Sequence, residues 1–152
     1  MMLELKISPP VQLIISVSLM YGLAYYFPQE HFDLSIALPM IILLIGTASV
    51  TGVLALYDFH KYQTTFHPHT PEKTSAVVNT GVYAYSRNPM YLSLVLILIA
   101  LALYLSNFTC FSVIPLFIWY NTRFQILPEE RVLDKLFPKD YQAYCQKVRR
   151  WL

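Results

Sequence analysis

Residues 34–57 run for twenty-four positions without a charged side chain. A helix needs about 20 such residues to cross a hydrocarbon core about 30 Å thick at about 1.5 Å per residue, so this stretch selects lipid as its solvent. Gly46, Thr47, Ser49, Thr51 and Gly52 stand near its middle, small residues that let neighbouring helices approach closely. A second apolar run, residues 10–27, is eighteen long and just sufficient to span. Residues 90–105 and 108–124 are shorter, with Ser106-Asn107 between them. They are expected to form a tight hairpin, with a kink at Pro115. The composition agrees: 56% of residues are hydrophobic and only 13% charged. The expected fold is an all-α integral membrane protein of about four transmembrane helices in a single domain, residues 1–152. No small-residue cleavage pattern follows the first run, so it reads as a retained helix.

The polar segments are unequal. Residues 28–33 form a short turn without Lys or Arg, and Ser106-Asn107 has none either, whereas the central loop of residues 58–88 carries Lys61, Lys73 and Arg87. From Arg123 onward the chain holds seven of its eleven basic residues. An excess of Lys and Arg marks cytoplasmic segments. Both termini, the central loop and the tail are therefore expected in the cytoplasm. The tail, residues 128–152, is charged and amphipathic. Val132, Leu133, Leu136 and Phe137 share one face, and Tyr141, Tyr144, Cys145, Val148 and Trp151 continue it after Pro138. Too polar to span, it should lie on the membrane surface or fold back over the loop.

Several functions are excluded or disfavoured. A net charge of +2 with no long basic-aromatic surface argues against nucleic acid. No apolar run carries an acid or base at its middle, where ion-coupled transporters keep theirs. Four glycines cannot write a dinucleotide fingerprint or a P-loop, and no nucleophile elbow is present. Cys110 and Cys145 fall in unlike environments and are not expected to pair. His60, His67 and His69 lack further ligands at a recurring spacing, so no metal site is assigned.

The most informative stretch precedes the third apolar run: Gly81-Val82-Tyr83, then Ser86-Arg87-Asn88-Pro89-Met90-Tyr91. A residue before proline is biased to extended geometry, asparagine is a strong N-cap, and proline suits the first helical position. A helix starting at Pro89 and capped by Asn88 is expected, its N-terminal dipole end available to an anion. Pro128-Glu129-Glu130 opens the tail with paired carboxylates. That pair on its own reads as a helix start favoured by the dipole.

Together these motifs, followed by Leu133, Phe137, Tyr141, Tyr144, Val148 and Arg150-Trp151, resemble the isoprenylcysteine carboxyl methyltransferase family in a short bacterial form. More distantly, the chain is similar to the membrane phospholipid methyltransferases. The resemblance covers roughly residues 64–152. Where the family has Arg-His-Pro, this chain has Arg87-Asn88-Pro89, and asparagine can hydrogen-bond but cannot titrate. The resemblance implies S-adenosylmethionine as cofactor and methyl transfer to a hydrophobic or membrane-associated carboxylate or amine. An inactive membrane scaffold of the same fold is the alternative. Carried over by position, cofactor contacts would be Ser75, Ala76, Val77, Val78, Gly81, Tyr83, Asn88, Pro89, Met90, Tyr91, Glu129 and Glu130. Arg123, Tyr91 and Arg87 would face the chemistry. The implied partners are the lipid bilayer and a hydrophobic small molecule or lipid.

Overall fold

The structure is a computed structural model that describes residues 7–28, 34–61 and 77–152, with the side chains of α2 described from residue 37 on. Among these residues it is all-helical, without strands. The elements are α1 (Pro9–Tyr26), α2 (Leu34–Lys61), α3 (Pro89–Tyr104), α4 (Val113–Asn121), α5 (Leu127–Leu136) and α6 (Pro138–Lys147). Short 3₁₀ turns at Gly81–Ala84 and Phe108–Ser112 precede α3 and α4. Three helices begin with proline at the first turn (Pro9, Pro89, Pro138), where its missing N–H costs nothing and its φ is already helical.

α3 lies at the centre, against α2 on one side and α1 and α4 on the other. Met20 of α1, Val95, Leu98 and Ala102 of α3, and Val113 and Phe117 of α4 form the main core. On the other face, Ala37 and Ile41 of α2 pack on Ala100. Of the two glycines in α2, Gly52 alone makes the close approach expected of them. A Cβ there would meet the Ser93 hydroxyl of α3 at 3.3 Å, while one on Gly46 would meet nothing within 4 Å. Thr47 and Ser49 turn their hydroxyls back to the carbonyls of Leu43 and Ile45 at 2.8 Å, as such side chains do where no other partner is at hand.

Ser106, at φ 51°, turns the chain between α3 and α4. The fully buried Asn107 donates to the Phe27 carbonyl at 2.8 Å and accepts from the Thr109 N–H at 2.9 Å. This joins the end of α1 to the hairpin with every amide group used. The same end of the bundle carries exposed Tyr25, Tyr26, Phe27, Tyr104 and Phe108, the residue types found where a bilayer meets water. Among the described residues one helix, Ala37–Lys61, is long and apolar enough to cross a membrane, and Pro89–Tyr104 is a shorter apolar helix.

The fourth apolar run departs from expectation. It is not one α-helix over residues 108–124. It begins as a 3₁₀ turn, becomes α-helical at Val113, and passes through a π-turn at Thr122–Ile126 straight into α5. Pro128 supplies the reason: in an unbroken α-helix its ring would strike the carbonyl four residues back, and a π-turn upstream opens that spacing. Pro115, expected to kink the helix, sits in the first turn of α4, where a proline breaks no hydrogen bond.

Candidate functional site

Where α2 ends and α3 begins, three stretches distant in sequence come together. The first is the turn Gly81–Ala84, which packs on the end of α2. Tyr83 is buried with Ala55 and Val78, and the Phe59 ring meets it edge-on at 5.3 Å. Gly81 has φ +60°, and a Cβ there would lie 2.9 Å from the carboxylate carbon of Asp58. Only glycine combines that conformation with that approach. Burial raises the Tyr83 phenol above its ordinary value, with Tyr144, Asp58 and Glu129 adding to the rise, so it stays neutral.

The second stretch is the start of α3. The helix begins at Pro89 as expected, but Asn88 does not cap it through its side chain. Its amide instead donates to the Arg150 carbonyl at 3.0 Å. The Arg87 N–H donates to the Arg149 carbonyl at 3.0 Å, and Ser86 bridges the Asn88 N–H and the Arg150 carbonyl. Proline has already removed one orphan donor of the helix start, and the C-terminal segment offers carbonyls that would otherwise lack partners. The tail thus folds back over the loop and is fastened to the residues just before α3.

The third stretch is the start of α5 with α6. Glu129 and Glu130 are adjacent in sequence but differ in environment. Arg150 grips Glu130 from two nitrogens, the shorter contact being 2.7 Å, and Arg87 adds a third at 3.3 Å. Glu130 in turn holds the Arg150 guanidinium in its charged form. Glu129 accepts from the Tyr91 hydroxyl at 2.8 Å. Burial, with the neighbouring Glu130 charge, pushes its carboxyl up to about 7 against the smaller opposing effect of Tyr91. Among the described residues no cation contributes to that shift. Arg87 also donates to the Tyr141 hydroxyl at 3.4 Å and lies against the Cys145 sulfur. Tyr144 donates to the Tyr83 carbonyl at 2.6 Å, tying α6 to the glycine turn.

These stretches enclose one cavity of about 90 Å³. Phe59, Val77, Val78, Tyr83, Met90, Leu133 and Tyr144 give it an apolar and aromatic wall, and Arg87, Asn88, Tyr91, Glu129, Glu130 and Tyr141 its polar groups. The enclosed volume is well below the 300–1,000 Å³ of typical ligand pockets, so the described residues enclose room for only part of a ligand of that size. Ser75 and Ala76 lie outside the described residues.

Among the residues singled out from the sequence, Val77, Val78, Tyr83, Arg87, Asn88, Met90, Tyr91, Glu129 and Glu130 share this cavity. Gly81 and Pro89 shape the backbone without lining it. Arg123 is exposed in the π-turn, its guanidinium 5.6 Å from the Phe124 ring centre, and does not line the cavity. Phe59 was not singled out, and the tail's aromatic stripe reads as packing until α6 is seen to fold back. Among the described residues no three metal-ligating side chains gather. His67 and His69 fall outside them.

A protein of Haemophilus influenzae, described only as uncharacterized, is 48% identical over 63 residues, which is 41% of this chain and all of that protein. No solved structure matches the chain. The sequence profile described as phospholipid methyltransferase matches residues 34–140, which takes in α2, the glycine turn, α3 and the Glu129-Glu130 pair, and the isoprenylcysteine carboxyl methyltransferase-like reading of the motifs fits it. The chain belongs to the phospholipid methyltransferase family, a family of methyltransferases.

Proposed function

We propose that the chain transfers a methyl group from S-adenosylmethionine to a hydrophobic or membrane-associated carboxylate or amine, at the cytoplasmic face of a bacterial inner membrane. The observation that carries this reading is Glu129: a half-buried carboxylate on the cavity wall that accepts from the Tyr91 hydroxyl at 2.8 Å, its carboxyl raised to about 7. Such a group is costly to ionise until a cation arrives. The ring-bearing side chains around it (Phe59, Tyr83, Tyr91, Tyr141, Tyr144) suit a cationic ligand, each cation–π contact being worth about 0.5–2 kcal/mol. S-adenosylmethionine carries a sulfonium and an ammonium and, when bound, supplies an electrophilic methyl group.

The chain's own residues then have distinct tasks. Glu129 holds positive charge, with Tyr91 fixing its carboxylate by a 2.8 Å hydrogen bond. Tyr83 and Phe59 offer aromatic faces. The α3 N-terminus at Pro89 suits a ligand carboxylate. Glu130, occupied by Arg87 and Arg150, positions the tail rather than the ligand. Ser75 and Ala76 complete the contacts carried over from the family. Methyl transfer depends mainly on alignment in a dry site, where orientation contributes about 7–11 kcal/mol. A carboxylate acceptor is already a nucleophile and needs no general base, and none is assigned. Four helices (α1, α2, α3 and the α4–π-turn segment) cross the membrane in this reading, with both termini cytoplasmic.

Thermal melting of purified protein with S-adenosylmethionine or S-adenosylhomocysteine tests the proposal. Binding should raise Tm by mass action, by the equivalent of about 2.7 kcal/mol at a hundredfold excess over Kd. An unmoved Tm at millimolar cofactor would leave an inactive membrane scaffold of the same fold.

A further inference from the structure

A second cavity, of about 220 Å³, lies between α1 and α4, away from the glutamates. Gln12, Ser16 and Phe117 on its wall are buried, while Ile15 and Leu116 beside them are 54% and 52% exposed. It therefore opens sideways, onto the surface that hydrocarbon covers in the proposed four-helix membrane reading, on which this inference rests. Among the described residues no charged one lines it.

The polar groups at its cytoplasmic end are incompletely matched. Gln12 and Gln125 both donate to the Ile7 carbonyl at 2.7 Å, which brings α1 and the π-turn together. The side-chain oxygens of Gln12, Gln125 and Asn121, and the Tyr120 hydroxyl, are buried without a partner among the described residues. Gln12, 5% exposed, and Tyr120 belong to the cavity wall itself. Buried polar atoms are nearly always satisfied, and each that is not asks for a missing partner. Of the two that line the cavity, Gln12 Oε1 only accepts, and the Tyr120 hydroxyl can both donate and accept. The missing partner is a donor. A charged head is disfavoured because no counter-charge lines the cavity. An apolar cavity of ~150 Å³ already admits benzene, so this one has room for the head and first part of a chain.

We infer that the α1–α4 cavity is a lateral binding site for an uncharged amphiphile, an apolar chain headed by a hydroxyl. The hydroxyl donates to Gln12 Oε1 beside the π-turn, and the chain leaves between Ile15 and Leu116. The site stands apart from the cofactor reading and needs no cofactor.

The probe is a diazirine-bearing octanol, photolysed with the full chain in nanodiscs, with adducts mapped by mass spectrometry. Adducts should concentrate on peptides covering residues 12–19 and 113–120. 1-Octanol should compete about tenfold better than octane or octyltrimethylammonium. Gln12→Leu should cut labelling about tenfold. Ile15→Trp, on the exposed rim and outside the core, should block entry in a protein that folds normally. Labelling spread evenly over all lipid-facing helices, or octane competing as well as octanol, would overturn the inference and leave buried water as the partner of these oxygens.

Discussion

Glu129→Gln separates the electrostatics of the cavity from its packing. The substitution keeps the shape of the side chain and its ability to accept from Tyr91, but removes the charge. Burial raises the Glu129 carboxyl from 4.5 to about 7, which at ~1.4 kcal/mol per pH unit amounts to ~3 kcal/mol. The sign follows from proton uptake. Between pH 4.5 and 7 the folded protein holds a proton that the unfolded chain has lost, so stability falls as pH rises through that window and stays low above it. At pH 8 ligand-free Glu129→Gln should therefore be more stable than the parent, by up to ~3 kcal/mol, or about 6–12 °C in Tm for a chain of this size. Near pH 4 the two should melt together. The assay is thermal unfolding in detergent from pH 4 to 8.5. A variant less stable than the parent at pH 8 would mean that Glu129 already has a cationic partner, and would refute the reading of the cavity as a cation receptor.

Other outcomes test the remaining parts. Glu130→Gln should destabilise the fold by ~1–3 kcal/mol, because it leaves the Arg87 and Arg150 guanidinium groups facing an uncharged amide; the figure is set below that of a fully buried pair since Arg150 is 35% exposed, and equilibrium unfolding reads it. Gly81→Ala, forced to φ +60° against Asp58, should cost ~1–3 kcal/mol by the same measurement. Cofactor affinity, followed by calorimetry, should weaken about tenfold per pH unit below 7, since a cation must displace the proton on Glu129. Tags on either terminus should resist external protease in intact cells, and cleavage would overturn the proposed topology.

How legible all this is from sequence depends on the range of the interactions. Helix starts at Pro89 and Pro138 could be read because proline at the first turn is a local matter. The restart at Pro138 continues the apolar stripe, but whether the tail lies on the membrane surface or folds back over the loop stays open in the sequence. The π-turn could not be read in the same way. It settles a conflict between Pro128 and the carbonyl of the preceding turn, and only the packing of α4 decides whether the chain breaks or widens there. Asn88 shows the other limit: its type and place say N-cap, but its partner is the carbonyl of Arg150, sixty-two residues on. The resemblance implies contacts of Tyr83, Tyr91 and Glu129 with one cofactor; the three line one cavity. The unequal roles of Glu129 and Glu130 needed coordinates, because the two arginines that occupy Glu130 come from separate segments.

The most direct measurement is calorimetric titration of S-adenosylmethionine into the detergent-purified chain at pH 8, beside Glu129→Gln. The account requires saturable binding by the parent and its loss in a variant that still melts cooperatively. Equal binding by both proteins, or none by the parent at millimolar ligand, would contradict it.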